Sequence, residues 1–187
     1  MGEFWFWSFF SQTDPIVLSG GGQDIGHVTG LAASIMADPV VSVVYGVQAG
    51  VLPTSFNISS SASFAAMTNP TGVASASNTL TDTVGNGGTL TGGFGGKSFR
   101  ASYNGTFVFH DSEENLSVGA FGSTQSTDPD FSGVITGSVT SATATFDFAL
   151  SARDISGGTG VFQVVPEPAT LGLLGLAGLM MLRRRTR

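Results

Sequence analysis

The stretch Ala142-Thr-Ala-Thr-Phe-Asp-Phe-Ala-Leu150 decides how the rest of the chain is interpreted. Its even positions carry Ala, Ala, Phe, Phe and Leu, whereas Thr143, Thr145 and Asp147 occupy odd positions. An apolar residue at every second position is typical of a strand with one face buried and one exposed. The stretch therefore predicts a β-strand.

Three further segments, all earlier in the chain than this one, predict strands. Residues 131–139 place apolar or glycine residues at odd positions, and Thr140-Ser141 is the predicted reversal into the next strand. Val40–Val51 is rich in valine, which favours a more fully buried strand, and Ser55–Met67 predicts a long polar strand. The pattern indicates many short strands along the chain.

The segment Ser98–His110 allows three arrangements around Asn104-Gly105. A two-residue hairpin loop would send Phe107 and Phe109 to the face opposite Phe99 and Tyr103. A three-residue loop over residues 103–105 instead pairs Ala101 with Phe107 and Phe99 with Phe109 on one face, and it is the arrangement we predict. One unbroken strand kinked at Gly105 is the alternative.

Composition agrees with an all-β fold. The 187 residues include 27 glycines and 15 phenylalanines, and the mean hydropathy is +0.27. Turn-rich sequence with this much apolar surface predicts an all-β fold, a single antiparallel β-sandwich-like domain.

The absence of cysteine excludes disulfides and thiol catalysis. Residues 1–165 hold 12 acidic and 3 basic residues, a net charge of −9, which would repel nucleic acid.

The C-terminal residues have three parts. Pro166, Glu167 and Pro168 come first, an apolar run follows at 169–182, and the last part is the basic cluster Arg183, Arg184, Arg185 and Arg187. The run is 14 residues long, which is about 21 Å of helix. It is glycine-containing and has no polar face, as in membrane helices. We therefore predict a short C-terminal transmembrane helix whose arginines stay in the cytoplasm.

This order of tripeptide, hydrophobic run and arginines resembles the PEP-CTERM sorting signal of Gram-negative bacteria, which a membrane enzyme called exosortase recognises. The resemblance covers residues 165–187. It implies an exported protein that is held in the inner membrane by its tail and then reaches the cell surface or an exopolysaccharide matrix. It implies an exosortase-type partner and says little about the chemistry of the body.

The predicted organisation has three parts. Residues 1–11 form an uncertain leader, residues 12–164 an all-β extracytoplasmic domain, and residues 165–187 the sorting and anchor segment. Glu3 stands where an export signal needs a basic residue, so we interpret the start as lost or misassigned and Phe4–Phe10 as a non-native leader. A genuine start whose aromatic residues form a strand is the alternative.

Candidate functional residues are few. His27 lies in a glycine-rich segment that predicts a loop, and His110 is predicted to end a strand. Four acids on predicted loops could hold calcium, which prefers oxygen ligands, or act as a glycosidase pair: Asp111, Glu113, Asp128 and Asp130. We expect no other cofactor.

The predicted function is a non-catalytic surface or matrix protein with exopolysaccharide as a candidate ligand, and the alternative is a secreted carbohydrate-active hydrolase.

Overall fold

The computed structural model describes residues 4–11, 13–36 and 39–166. Within these ranges the chain forms strands and no helix. The strands are β1 (Phe4–Phe10), β2 (Ile16–Gly20), β3 (Gln23–Met36), β4 (Val40–Ala49), β5 (Thr54–Thr68), β6 (Thr71–Thr81), β7 (Gly88–Gly92), β8 (Lys97–Tyr103), β9 (Phe107–Glu114), β10 (Leu116–Val118), β11 (Ser123–Val134), β12 (Ser138–Leu150) and β13 (Ile155–Val165). The prediction of an all-β fold is confirmed.

The strands form two sheets, and every pairing is antiparallel. The seven-stranded sheet has the order β1-β3-β4-β13-β6-β11, with β2 beside β1 on the edge of β3. The six-stranded sheet has the order β10-β7-β12-β8-β9, with β5 on the other side of β12. Strand β12 packs over β13 and β4, β5 packs over β4 and β3, and β9 packs over β6 and β11. The two sheets therefore enclose one core, as in a sandwich.

Strand β12 lies at the centre of the six-stranded sheet. It pairs with β5 along its whole length and, on its other side, with β8 and then β7. Its even-numbered residues from 142 to 150 are buried. The alternation therefore predicted both the strand and its buried face correctly.

Aromatic rings fill the core between the sheets. The Phe146 ring contacts Tyr45 in an edge arrangement, with centroids 4.8 Å apart, and contacts Phe99 at 5.0 Å. The largest fully buried side chains include Phe99, Phe146, Phe148, Phe162, Leu80, Leu90 and Leu150. Each such side chain contributes roughly 1.5–3 kcal/mol through its removal from water. This core is the main stabilising element of the fold.

The predicted reversal at Thr140-Ser141 is wrong. Strand β11 ends at Val134 and β12 begins at Ser138, and the two strands belong to different sheets. The chain crosses between the sheets at Gly137, whose φ of 100° favours glycine. A β-bulge between Val139 and Ser141 then takes up the irregularity inside β12.

The hairpin between β8 and β9 has a three-residue loop, but it lies one residue later than predicted. Tyr103 pairs with Phe107, and Asn104 and Gly105 have φ of 49° and 78°. A β-bulge between Ser102 and Ala101 shifts the register beyond this point. The predicted pairs of Ala101 with Phe107 and of Phe99 with Phe109 are therefore wrong.

The seven-stranded sheet extends beyond its partner at one edge. Strand β1 pairs with β3 from Phe4↔Met36 to Phe10↔Gly30, and β2 pairs with the earlier part of β3. Strand β5, an edge of the six-stranded sheet, packs against β3 and β4. The aromatic segment Phe4–Phe10 is thus a strand of the sheet; the interpretation of residues 1–11 as a non-native leader stays a prediction.

Candidate functional site

The four acids singled out in the sequence lie on β9 and β11, the strands where the edges of the two sheets meet. Asp111 and Glu113 belong to β9, and Asp128 and Asp130 belong to β11, so the prediction that these acids lie on loops is wrong. The Nε2 atom of His110 lies 2.7 Å from Oδ2 of Asp128, and the His110 ring stacks on Phe131 with centroids 4.2 Å apart and planes 5° apart. This polar contact joins the six-stranded sheet to the seven-stranded sheet.

Glu113 strengthens the same junction from inside the protein. Its Oε1 atom accepts a hydrogen bond of 2.8 Å from the backbone N–H of Asp128, and only 2% of the residue is exposed. Burial raises the pKa of its carboxyl group, because the ionised form loses its hydration. Glu113 therefore acts as a buried acceptor that fixes β9 against β11.

A chain of buried polar side chains continues from Glu113 into the core. The Ser98 hydroxyl donates to the carbonyl oxygen of Glu113 at 3.2 Å and accepts a bond from the Asn78 amide. Asn78 Oδ1 accepts a 2.9 Å bond from the Tyr45 hydroxyl, which also lies 3.1 Å from Ser156 Oγ. Burial raises the pKa of Tyr45 far above its usual value. This network crosses from one sheet to the other.

The remaining two acids of the predicted calcium set point elsewhere. Asp111 forms a bidentate ion pair with Arg100, at 2.7 Å to Nε and 2.8 Å to Nη2, and the Arg100 guanidinium lies 4.1 Å from the centroid of the Phe94 ring. Asp130 is exposed beside the β-bulge of β11. The structure brings Glu113 and Asp128 together, and it does not bring all four acids together.

No group of three His, Asp or Glu side chains among the described residues is arranged to hold a metal ion. Asp111, Glu113 and Asp128 already bind protein groups, through Arg100, the Asp128 backbone and His110. Calcium binding would have to compete with these contacts. It stays a prediction.

His27 does not lie in a loop, so that prediction is wrong. It belongs to β3, and its Nε2 atom is 2.7 Å from Oδ2 of Asp24. Gly21 and Gly22, with φ of 61° and 80°, form the turn before the strand. His110 likewise lies inside β9 instead of ending it.

A shallow cavity of about 270 Å³ lies beside Asp130, across strands β6, β11 and β13. Its lining includes the hydroxyl residues Ser75, Ser77, Thr127 and Thr159, together with Asp128, Pro129, Asp130, Ala76 and Val161. The odd-numbered residues of β6 and β13 face away from the core, so this cavity opens on the outer face of the seven-stranded sheet. Hydroxyl and carboxylate groups there are suited to hydrogen bonding with a polar ligand.

A second acidic centre, not predicted from the sequence, lies at the end of the sandwich opposite Val165. Burial acts to raise the pKa of Asp82, but hydrogen bonds from the backbone N–H groups of Val84, Gly85, Gly87 and Phe121 outweigh it and lower that pKa to about 2. Burial raises the pKa of neighbouring Asp154. Asp82 thus organises two loops. The Asp-x-x-Gly sequence at 82–85 is the signal that could have indicated such a turn.

The last strand leads directly to the C-terminal segment. Strand β13 ends at Val165, and Pro166 is exposed. Glu167, Pro168, the apolar run and the arginine cluster lie outside the described residues. Within the described ranges there is no helix long and apolar enough to cross a membrane.

The described residues define an all-β protein of two packed sheets that continues into this segment. Residues 164–185 match the family model described as the PEP-CTERM protein-sorting motif. The chain therefore carries this sorting motif at its C-terminal end, as the sequence predicted. The motif supports an exported protein with an exosortase-type processing partner.

Other comparisons add little. No curated protein matches the chain. A chain in the structure of the infectious bursal disease virus Gt strain is 13% identical, with 100% of this chain and 67% of that chain covered and a TM-score of 0.28. A chain of the VP2 subviral particle of the same virus is 12% identical, with 99% and 69% covered and a TM-score of 0.15. At these scores neither resemblance supports an inference.

Proposed function

We propose that this chain is a non-catalytic component of the bacterial cell surface or extracellular matrix, and that its β-sandwich body binds exopolysaccharide. In this proposal, residues 169–182 hold the body at the inner membrane until an exosortase-type enzyme processes the tail. The observation that carries the proposal is the PEP-CTERM motif at residues 164–185, which begins within the last strand of the body.

The use made of the polar residues supports a non-catalytic body. General acid-base catalysis needs a titratable group within reach of a substrate. His110 is paired with Asp128 and stacked on Phe131, and Glu113 is almost fully buried. These contacts serve to join the sheets. Glu113 has the raised pKa that a general acid requires, but it does not line the outer cavity.

The outer cavity supports a polysaccharide ligand. It offers several hydroxyl groups and the exposed carboxylate of Asp130 along a shallow surface. A chain of sugars bound there would replace its hydrogen bonds to water by hydrogen bonds to these protein groups. Each such bond contributes about 0.5–1.5 kcal/mol net. Weak contacts repeated along a polymer would add up through multivalency.

The test is a binding measurement with full-length protein in mild detergent and exopolysaccharide purified from the same bacterium. We expect Thr159→Val and Asp130→Asn each to weaken binding by about 2- to 10-fold, the factor that one lost hydrogen bond produces. Asp14→Asn makes the same charge change at an exposed site outside the cavity, and it should bind like the unchanged protein.

Two outcomes would contradict this proposal. Equal binding by all variants would show that the cavity is not the binding surface. Release of sugars by the protein, abolished by Asp130→Asn, would instead establish the hydrolase alternative, because Asp128 and Asp130 both line the cavity.

A further inference from the structure

Strand β1 exposes an unusual amount of aromatic surface. Trp5 is 67% exposed, Trp7 54% and Phe10 65%. The adjoining strand β2 adds exposed Ile16 and Val17. Aromatic side chains of this size usually lie in cores or interfaces, because each offers about 150–250 Å² of surface to bury. Trp5, Trp7 and Ile16 lie on the side of the sheet that faces the core, whereas Phe10 and Val17 lie on its outer side. A group of exposed apolar side chains on one side of a sheet marks an interaction site.

The position of β1 explains why its side chains stay exposed. It lies at the overhanging edge of the seven-stranded sheet, beyond β5, the edge strand of the six-stranded sheet. The odd-numbered residues Trp5 and Trp7 pair with Ile35 and Ala33 of β3. They point to the core side of the sheet, where the second sheet does not cover them. Something outside the described residues can therefore occupy this surface.

The pairing register relates this surface to the start of the tail. Trp5 pairs with Ile35, Ile35 with Val41, and Val41 with Phe162. Pro166 follows Phe162 by four residues, about 13 Å along the strand, and three strand spacings of about 4.8 Å separate β1 from β13. Trp5 and Pro166 are therefore roughly 20 Å apart. The apolar run starts three residues after Pro166, at most about 11 Å of extended chain.

A body tethered at Pro166 can therefore lay β1 on the surface of the membrane that holds the tail. Tryptophan is enriched at membrane–water interfaces, where its ring is buried and its N–H group stays hydrated. Strands β1 and β2 carry no lysine or arginine, and the acids Glu3 and Asp14 flank β1 in the sequence. The surface therefore suits a zwitterionic lipid headgroup better than an anionic one.

We propose that β1 is an interfacial membrane contact, with Trp5 and Trp7 among the headgroups of a zwitterionic bilayer while the tail remains inserted. This inference rests on the proposed anchoring of the body by residues 169–182. It adds a second membrane contact that orients the sandwich. Release of the tail would leave β1 as a weak contact on its own, since peripheral association normally needs two signals.

Both tryptophans of the chain lie in β1, so tryptophan fluorescence reports on this strand alone. Full-length protein is incorporated into phosphatidylcholine vesicles, and the vesicles are floated to measure anchoring. Lipids brominated near the headgroup are then used as quenchers. We expect the protein to float, its emission maximum to move to shorter wavelength, and the bromolipids to quench most of the emission.

The control moves the reporter to the opposite end of the sandwich. Phe121 is 74% exposed beside the Asp82 loops, so the variant Trp5→Phe/Trp7→Phe/Phe121→Trp should float but remain unquenched.

Flotation without quenching of the unchanged protein would overturn the β1 contact and leave the anchoring intact. Failure to float would overturn the anchoring itself. Short-wavelength emission before any lipid is added would mean that the tail or a second copy already covers β1, which also contradicts the proposal.

Discussion

The close contact between β13 and the core rings yields a sharp prediction about Gly160. A methyl group added at this position would lie 2.8 Å from Cδ2 of Phe99, closer still to its Cε2 atom, and 2.9 Å from Cε2 of Phe146. Both rings are fully buried and belong to the opposite sheet, so they cannot move aside without displacing other core residues. Overpacking of this kind costs about 1–3 kcal/mol. Gly160→Ala should therefore destabilise the protein by that amount.

Gly157→Ala is the matched control on the same strand. Its added methyl group would lie 3.4 Å from Thr79 and from the Tyr45 backbone, an ordinary contact distance. We expect it to be neutral or stabilising by up to about 1 kcal/mol, because alanine reduces the entropy of the unfolded chain.

Thermal and urea unfolding of full-length protein, followed by circular dichroism in the same detergent, measure the difference. For a chain of this size, 1 kcal/mol corresponds to a shift in Tm of about 2–4 °C. Equal stability of the two variants would refute the packing of the two sheets through β13.

Three further predictions concern buried polar groups, and all are measured by urea unfolding. Asn78→Ala should cost about 1–3 kcal/mol or more, because it leaves the Tyr45 hydroxyl and Ser98 without their buried partner; a neutral effect would refute the network. The folded protein lowers the pKa of Asp82, so the ionised carboxylate stabilises the fold at any pH above the unfolded pKa of about 3.9. This contribution is lost as the pH falls towards about 2. Asp82→Asn should therefore lose less stability over that pH interval than the unchanged protein. The shift of Glu113 has the opposite sign, so its contribution to the free energy of unfolding is greatest below the unfolded pKa of about 4.3 and declines as the pH rises through the raised folded pKa. Glu113→Gln should remove this decline, and an unchanged pH profile would count against the burial of an ionisable carboxyl group.

Local alternation made part of this fold predictable. The period-two pattern identified β12 and its buried face, and the abundance of such segments identified the all-β fold. The bulges in β8–β9 and in β12 were not predictable, because the residue omitted from a ladder is set by packing against the other sheet. One omitted residue places His110, instead of Phe109, opposite Ala101.

The polar junction was harder to predict than the strands. The sequence marks Asp111, Glu113 and Asp128 as candidate ligands, but their partners lie on other strands, 11 to 18 residues away. A one-residue change of register determines which partner each acid meets. Asn78 carries a signal of its buried role in the sequence pattern. It stands in an alternating run at an even position, where the pattern demands an apolar residue, and the structure buries it there.

The C-terminal motif was the most predictable functional feature, because a sorting signal is read as a linear segment and does not depend on long-range contacts. The tripeptide, the apolar run and the arginine cluster were identified from their order alone, and the family model matches the same segment, residues 164–185. The body offers no comparable linear signal for a ligand. Its candidate binding surface is assembled from three strands of the sheet.

The most direct test is the fate of the tail in the organism that encodes the protein. The chain is expressed from its own chromosomal locus, and mass spectrometry determines the C-terminus of the protein in cytoplasmic, membrane and external fractions. A matched strain carries Pro166→Ala/Glu167→Ala/Pro168→Ala. The unchanged protein should appear outside the cytoplasm without Arg183–Arg187, and the variant should accumulate unprocessed. Full-length protein in the cytoplasm with its tail intact would contradict this prediction.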